Sequence, residues 1–209
     1  YSAKQIGRNT YQWFSEELNT SANYRVKLRN ELQETIENDG LTVYYQPLID
    51  SRTGHTRSVE ALVRWEHPSR GLISPGDFIP LAEDTGQIVA LGKQVLNKAC
   101  QDMVRLQQAG FPECSVAVNV SPVQVRKDGF IKTVREALDT SGLQPEALEL
   151  EIVESAVLHD TNQVIGTLKE LRELGVGIAI DDFGTGFSSL SYIKLMPANK
   201  IKIDRSFIQ

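Results

Sequence analysis

Apolar runs of strand length alternate with amphipathic helical stretches along most of this sequence, and that alternation restricts its possible folds more than any other feature. The strand-like runs cover residues 115–120, 148–153, 178–180 and 200–203. Apolar residues at helical spacing fill the gaps, most clearly at 88–108 and 161–174. Strands joined in this way are usually parallel, which predicts either a doubly wound open sheet or a (β/α) barrel.

The beginning of the sequence follows a different pattern, in which two strands succeed each other without a helix between them. A helix is predicted over residues 22–38, and strands follow at 41–49 and 58–65. The two strands are separated only by a turn at residues 50–54, and so short a connection predicts an antiparallel hairpin. A short helix after Ser74 then begins the alternating part of the chain.

Polar residues occur at or near the carboxyl ends of three different apolar strands, and they are Asn119, Glu151 and Asp181. In a barrel these ends converge on one mouth, where barrel enzymes carry out their chemistry, whereas an open sheet would spread them along an edge. The barrel is therefore the favoured prediction. The sequence contains only about six of the eight strands that such a barrel has, and we expect the remaining strands beyond Gln209.

Asp181 and Asp182 are adjacent at the end of an apolar run, and a glycine-rich segment follows them. Two neighbouring carboxylates at the mouth of a buried strand are costly unless a positive charge lies close to them. A divalent metal would supply that charge, because hard cations prefer oxygen ligands and bridge neighbouring carboxylates. Alternatively, one aspartate caps a turn while the other faces solvent. This stretch alone leaves both interpretations open.

Three charged residues on other strands could join a site of this kind. Glu60 and Arg64 share one face of the second predicted strand. They form either a simple ion pair or two ligand groups, a metal-binding carboxylate and a phosphate-binding guanidinium. Lys202 lies between apolar residues on the last strand, where it either holds a water molecule near carboxylates or decorates an exposed strand edge.

Two further positions are ambiguous from the sequence pattern. Asn119 is either a neutral oxygen ligand or an amide that forms a turn at the end of its strand. Glu149 and Glu151 lie on the same strand face, so periodicity does not select the ligand between them. Taken together, the acids, the amide and the cations are the grouping expected for two-metal hydrolysis of a phosphoester.

Composition excludes several other classes of protein. A net charge of −5 argues against a binder of DNA or RNA, and no stretch reaches the roughly 18–20 apolar residues of a membrane span. The three histidines lack ligand spacing, which argues against a zinc site. The two cysteines, Cys100 and Cys114, are predicted to be buried thiols in a reducing compartment rather than a disulfide.

Several motifs, in order and spacing, resemble those of the EAL family of cyclic di-GMP phosphodiesterases. They are Glu60-Ala61-Leu62 with Arg64 and Trp65, Val118-Asn119-Val120-Ser121, the acidic stretch 148–154, Asp181-Asp182-Phe183-Gly184-Thr185-Gly186, and Lys202-Ile203-Asp204. The resemblance extends over residues 22–209. It implies a modified TIM (β/α)8 barrel with an antiparallel first strand, of which this chain holds about six of eight strands.

The resemblance also implies an activity and roles for individual residues. The activity is metal-dependent hydrolysis of cyclic di-GMP to linear pGpG, with two Mg²⁺ or Mn²⁺ ions per site. The implied metal ligands are Glu60, Asn119, Glu151, Asp181 and Asp182, with Asp181 bridging both ions. The other implied catalytic residues are Lys202, which positions the attacking water, and Glu154, which braces the loop 181–186. The glycines of the segment 181–189 would let it move, which predicts a mobile loop. The implied contacts to the dinucleotide are Gln46, Leu62 and Arg64.

The amino end carries a smaller resemblance. Residues 1–16 are similar to the closing segment of a GGDEF, or diguanylate cyclase, domain, which predicts a tandem protein with the EAL domain at 17–209. We expect a cytoplasmic domain without membrane contact of its own, any anchor lying outside this segment. A homodimer through the EAL domain is a further family expectation.

The resemblance leaves an alternative function, a catalytically silent EAL-like receptor for cyclic di-GMP. Receptors of this kind usually lose metal ligands, whereas this sequence retains every ligand expected within residues 22–209. Another glutamate and a glutamine that assist the metal site in the family would lie beyond Gln209. Asn199 stands where the family often has another polar or acidic residue. Hydrolysis is therefore the favoured prediction.

Overall fold

A computed structural model of the chain describes residues 16–154, 161–184 and 196–207. The α-helices are α1 (Glu16–Glu37), α2 (Pro75–Thr85), α3 (Ile88–Gln108), α4 (Pro122–Val125), α5 (Phe130–Ser141) and α6 (Thr161–Glu173). The strands are β1 (Thr42–Ile49), β2 (Thr56–His67), β3 (Gly71–Ile73), β4 (Ser115–Val120), β5 (Leu148–Val153), β6 (Gly177–Phe183) and β7 (Lys200–Ile203). Short 3₁₀ turns lie at Pro145–Ala147 and Arg205–Phe207.

Six of the strands form one sheet in the order β1-β2-β4-β5-β6-β7, and the short β3 pairs with β2 outside this path. Strand β1 runs antiparallel to β2, while every later pair along the sheet is parallel. The predicted fold class is thereby confirmed, with the hairpin at the beginning and the parallel strands after it. The carboxyl ends of the parallel strands consequently lie at one end of the sheet.

The predicted boundaries hold best where an apolar run ends at a turn residue, as in α3, β4, β5 and β7. Helix α1 begins at Glu16, earlier than the predicted residue 22. The prediction missed the first turns because they lack a periodic apolar pattern. Strand β3 was not predicted, since three residues are too few to show a period. Strand β6 continues through Asp181 and Asp182, so both aspartates lie in the strand and not after it.

Side chains of the sheet alternate between a helix-facing core and the opposite face. The helix-facing positions are the branched aliphatic residues Val116, Val118, Leu150, Ile152, Ile178 and Ile180, all buried. Each such side chain stabilises the fold by roughly 1.5–3 kcal/mol. The opposite face of the same strands carries small residues followed by polar ones, for example Ala117 before Asn119 and Ala179 before Asp181. Polar groups therefore gather at one end of this opposite face.

Trp65 fixes the end of β2 against the neighbouring helix α2. Its side chain is fully buried and meets the ring of Phe78 edge to face, with ring centroids 5.7 Å apart. Ser74 caps helix α2, because its side chain accepts a hydrogen bond from the Gly76 N–H group. The strand that carries Glu60 and Arg64 thus has a rigid support behind it.

Both cysteines are free and buried, as the sequence indicated. Burial raises the pKa of the Cys100 thiol to about 12 and also raises the pKa of Cys114. Because the reactive species is the thiolate, we expect iodoacetamide to leave both cysteines unmodified at neutral pH in the folded protein and to alkylate both in concentrated guanidinium chloride. Intact-protein mass spectrometry measures this, and rapid labelling of the folded protein would contradict the buried placement.

The predicted GGDEF-like segment at residues 1–16 lies outside the described residues, apart from Glu16 at the start of α1. Its identity therefore stays a prediction. Within the described ranges, none of the helices has both the length and the apolar composition that crossing a membrane requires.

Candidate active site

Three carboxylates from separate strands converge at the carboxyl end of the sheet. Glu60 comes from β2, Glu151 from β5 and Asp181 from β6, and one oxygen of each lies within 4.8 Å of the others. The parallel register produces this meeting, because Val153 of β5 pairs with Asp181 and Asn119 of β4 pairs with Glu151. The structure therefore brings together side chains that are up to 121 residues apart in the sequence.

Lys202 of β7 places its ammonium group among these carboxylates. Its Nζ atom lies 2.6 Å from Glu151 Oε2, 3.0 Å from Asp181 Oδ2 and 3.3 Å from Glu60 Oε2. Burial disfavours the charged ammonium, but the hydrogen bond and the charge of Glu151, with further help from Asp181 and Glu60, outweigh it and raise the pKa of Lys202. A single ammonium offsets only one of the three negative charges.

Glu151 is the most deeply buried member of the cluster, with a side-chain exposure of 0%. Burial raises the pKa of this carboxyl group to about 7, although the hydrogen bond from Lys202 works in the opposite direction. Its Oε2 atom accepts from Lys202, whereas its buried Oε1 atom has no hydrogen-bond partner among the described residues. An unpartnered buried carboxylate oxygen is costly, and a hard cation at this point would satisfy it.

Asn119 adds a neutral group beside the three acids. Its Nδ2 atom donates a hydrogen bond of 2.8 Å to Glu60 Oε1. This bond uses the amide nitrogen and leaves the carbonyl oxygen, which is an acceptor only, available to a cation. The predicted ligands Glu60, Asn119, Glu151 and Asp181 thus form one contiguous oxygen-rich cluster.

Asp182 stands next to this cluster in an unusual backbone conformation. Its φ angle is +53°, and the only other described residue besides glycine with a positive φ is Asp39. Its N–H group donates to Asp181 Oδ1 at 2.9 Å, while its own side chain is exposed. Burial, followed by the charges of Asp181 and Asp204, raises the pKa of Asp182. A left-handed residue at a carboxylate cluster is a form of strain that accompanies functional sites.

Glu154 lies just after β5 and contacts the segment that follows the aspartates. Its Oε2 atom accepts a hydrogen bond of 3.0 Å from the Gly184 N–H group. Gly184 has a φ of +98°, and a Cβ atom there would come within 2.3 Å of the Phe207 ring, so the position requires glycine. The remainder of the predicted mobile loop, residues 185–189, lies outside the described residues.

The predicted dinucleotide contacts lie on β1 and β2 beside the cluster. Gln46 is exposed and pairs with Glu60 across the hairpin, while Leu62 and Arg64 line a cavity of about 290 Å³ that Asn119 and Glu151 also border. The ion pair considered between Glu60 and Arg64 is not formed. Glu60 pairs with Lys202 instead.

The guanidinium group of Arg64 has other partners. It donates from Nη1 to the Val63 carbonyl group and lies 5.6 Å from the centre of the Tyr44 ring. Its side chain therefore remains at the rim of the cavity, where it could meet an anionic ligand.

The sequence patterns did not identify a second polar group beside this cavity, formed by Glu83, Ser121 and Gln124. The signal that could have indicated it is Ser121-Pro122-Val123-Gln124, which has the spacing of a helix capping box. Glu83 gave no local signal, because its partner Ser121 is 38 residues away in the sequence.

Comparison with known proteins agrees with this arrangement. The sequence profile of the EAL domain family matches residues 29–209. The chain belongs to the EAL domain family. As an EAL domain it is 44% identical to the bifunctional diguanylate cyclase/cyclic di-GMP phosphodiesterase MucR of Pseudomonas aeruginosa, over 100% of this chain and 30% of MucR. It is 42% identical to the cyclic di-GMP phosphodiesterase NbdA of the same organism, over 100% of this chain and 27% of NbdA.

A solved structure is also similar to this EAL domain. The structure of the PaMucR phosphodiesterase in complex with c-di-GMP superimposes with a TM-score of 0.83 at 45% identity, and covers 87% of this chain and 74% of that one. The chain spans less than a third of the length of MucR and NbdA.

Proposed function

We propose that this EAL domain hydrolyses one phosphodiester bond of cyclic di-GMP and releases linear pGpG, using two Mg²⁺ or Mn²⁺ ions. The observation that carries the proposal is the group of Glu60, Glu151 and Asp181, whose oxygens approach one another within 4.8 Å at the carboxyl end of the sheet. Three carboxylates with one lysine leave an excess of negative charge. Such a group suits divalent cations and not an anionic ligand by itself.

The substrate proposal is supported by the relatives. MucR and NbdA carry cyclic di-GMP phosphodiesterase in their names, and the PaMucR structure is described as a complex with c-di-GMP. The cavity beside the cluster is lined by Leu62 and Arg64, an apolar side chain and a cation. The apolar side chain suits the base of a nucleotide, and the cation suits its phosphate.

The donor set fits divalent metal ions. Glu60, Asn119, Glu151 and Asp181 would hold one ion, and Asp181 with Asp182 would hold a second. The unpartnered Oε1 atom of buried Glu151 supports this assignment, because nothing else described in the structure satisfies it. Bound divalent cations supply Lewis acidity toward the phosphate and lower the pKa of water.

The other residues would bind, orient and hold groups in place. Lys202, fixed by three hydrogen bonds, would position the attacking water and stabilise negative charge that develops during the reaction. Arg64 would hold a phosphate oxygen, and Gln46 would contact the dinucleotide from β1. Glu154, through its bond to Gly184, would keep the segment that carries the aspartates in place.

A receptor that binds cyclic di-GMP without cleaving it is the second candidate, and the presence of every metal ligand expected within residues 22–209 argues against it. Chromatography of purified protein incubated with cyclic di-GMP and Mn²⁺ tests the choice. We expect linear pGpG to accumulate, and chelation by EDTA to stop its formation. Tight binding of cyclic di-GMP without product would instead support the receptor.

The organisation around this domain also stays a prediction. A GGDEF-like domain upstream in the same protein and a homodimer are expected from the family resemblance alone. A cytoplasmic location is likewise an expectation.

A further inference from the structure

The end of strand β4, which carries Asn119, is held differently on its two sides. On the β5 side the ladder continues through Val120, which pairs with Ile152. On the β2 side the ladder stops at Val118, which pairs with Ala61. Asn119 therefore lies beyond the last backbone pairing to the strand that carries its partner Glu60. The turn after β4 is therefore the other element that can hold the position of Asn119 on this side.

Ser121 begins that turn and is bonded through both its backbone and its side chain. Its Oγ atom accepts from the Val123 N–H group at 3.1 Å and donates to Glu83 Oε1 of α2 at 2.5 Å. Its N–H group donates to Gln124 Oε1 at 3.1 Å, which completes a capping box. The turn is thus connected to helix α2 as well as to its own short helix.

The buried amide of Gln124 fits into space left by a glycine. A Cβ atom on Gly92, in the interior of α3, would lie only 1.9 Å from Gln124 Nε2. A glycine inside a helix makes that helix less stable than an alanine would. At Gly92 this loss of stability is offset by the room that the glycine leaves for the side-chain amide of Gln124. By contrast, a Cβ atom on Gly166 in α6 would meet no atom within 4 Å.

We propose that these four residues, Glu83, Gly92, Ser121 and Gln124, form a β4 anchor that positions Asn119 for binding a divalent cation. The inference rests on the metal site of the proposed function. None of the four is a metal ligand. They act through the backbone, because Ser121 lies two residues after Asn119 and is fixed from α2, α3 and α4 together.

Replacing Ser121 with alanine tests the β4 anchor, because it removes the hydroxyl group that joins Glu83 to the turn. We expect the dissociation constant for Mn²⁺, measured by electron paramagnetic resonance of free Mn²⁺ on the purified protein, to rise about tenfold or more. Threonine retains the hydroxyl group, so Ser121→Thr is expected to bind Mn²⁺ within about threefold of the wild type.

Two serine residues that cap helices, Ser74 and Ser121, distinguish an effect on the position of Asn119 from an effect on the stability of the fold. Ser74 caps α2 as Ser121 caps α4, but it is not one of the four residues of the β4 anchor. Ser74→Ala and Ser121→Ala are both expected to lower the melting temperature, while only Ser121→Ala weakens Mn²⁺ binding.

Two glycine variants provide a second, independent test. Gly92→Ala would displace Gln124 and is expected to weaken Mn²⁺ binding several-fold, whereas Gly166→Ala is expected to leave it unchanged. Wild-type Mn²⁺ affinity in Ser121→Ala would overturn the inference, as would absence of Mn²⁺ binding in the wild type. If the wild type and the variants bind Mn²⁺ as expected but the wild type does not hydrolyse cyclic di-GMP, only the proposed reaction is overturned.

Discussion

Replacing Glu60 with glutamine is expected to lower the turnover of cyclic di-GMP by about a thousandfold or more. The substitution keeps the size of the side chain but removes one of the three negative charges that surround Lys202. A divalent ion contributes several kcal/mol to stabilising the transition state of phosphoester hydrolysis, and each 1.36 kcal/mol corresponds to a factor of ten in rate. The measurement is kcat for pGpG formation at saturating Mn²⁺, together with Mn²⁺ affinity.

Glu66 offers the matched control on the same strand. It is exposed, and its Oε1 atom accepts a hydrogen bond from the Tyr44 hydroxyl group at 3.1 Å. Glu66→Gln is expected to keep turnover within about twofold, because a surface charge contributes little. Equal activity in the Glu60 variant and the wild type would refute the assignment of Glu60 as a metal ligand.

Replacing Lys202 with methionine is expected to change both stability and activity. In the metal-free protein the three carboxylates would lose their common cation, and we expect a decrease of about 3 kcal/mol in the free energy of unfolding. The decrease should diminish at lower pH, since protonated carboxyl groups no longer need a cation. Mn²⁺ should restore most of the stability, because it can replace the missing positive charge.

Turnover of the same variant is expected to remain at least about a hundredfold below the wild type even with saturating Mn²⁺, because the attacking water loses its positioning group. Urea denaturation with and without Mn²⁺, alongside a turnover assay, measures both effects. Lys200 is the control, since it lies on the same strand and pairs with Glu149 at 2.6 Å but is more exposed. Lys200→Met should change stability by less than about 1 kcal/mol. If the two lysine variants lose stability and turnover to the same extent, the role assigned to Lys202 is wrong.

The regular elements were predictable to the extent that their patterns are local. Strands β4 and β5 were predicted to the residue, because each is a six-residue run with an apolar side chain at every second position. The start of α1 and the three-residue strand β3 were missed, since neither has enough periodic apolar residues to be recognised. The capping box at Ser121 was visible in the sequence, but its bond to Glu83 was not.

The partners of the site residues required the three-dimensional arrangement. Periodicity allowed Glu60 to pair with Arg64 on its own strand, and the structure pairs it with Lys202, 142 residues away. Glu149 and Glu151 share a strand face, yet Glu149 pairs with Lys200 while Glu151 lies in the carboxylate cluster with Lys202. The register between β5, β6 and β7 makes this distinction.

The sequence by itself determined the order of strands and helices, the parallel arrangement after the first hairpin, and the placement of polar residues near the ends of several strands. These follow from side-chain periods within one element, which a linear sequence displays directly. The residue patterns left open which carboxylates meet, and the tertiary structure brings together Glu60, Glu151 and Asp181, which the family resemblance had implied. Only the tertiary structure decided which oxygen of Glu151 lacks a partner among the described residues and how the turn after Asn119 is held. Those depend on the register between strands and on packing of helices from distant parts of the chain, which no local period encodes.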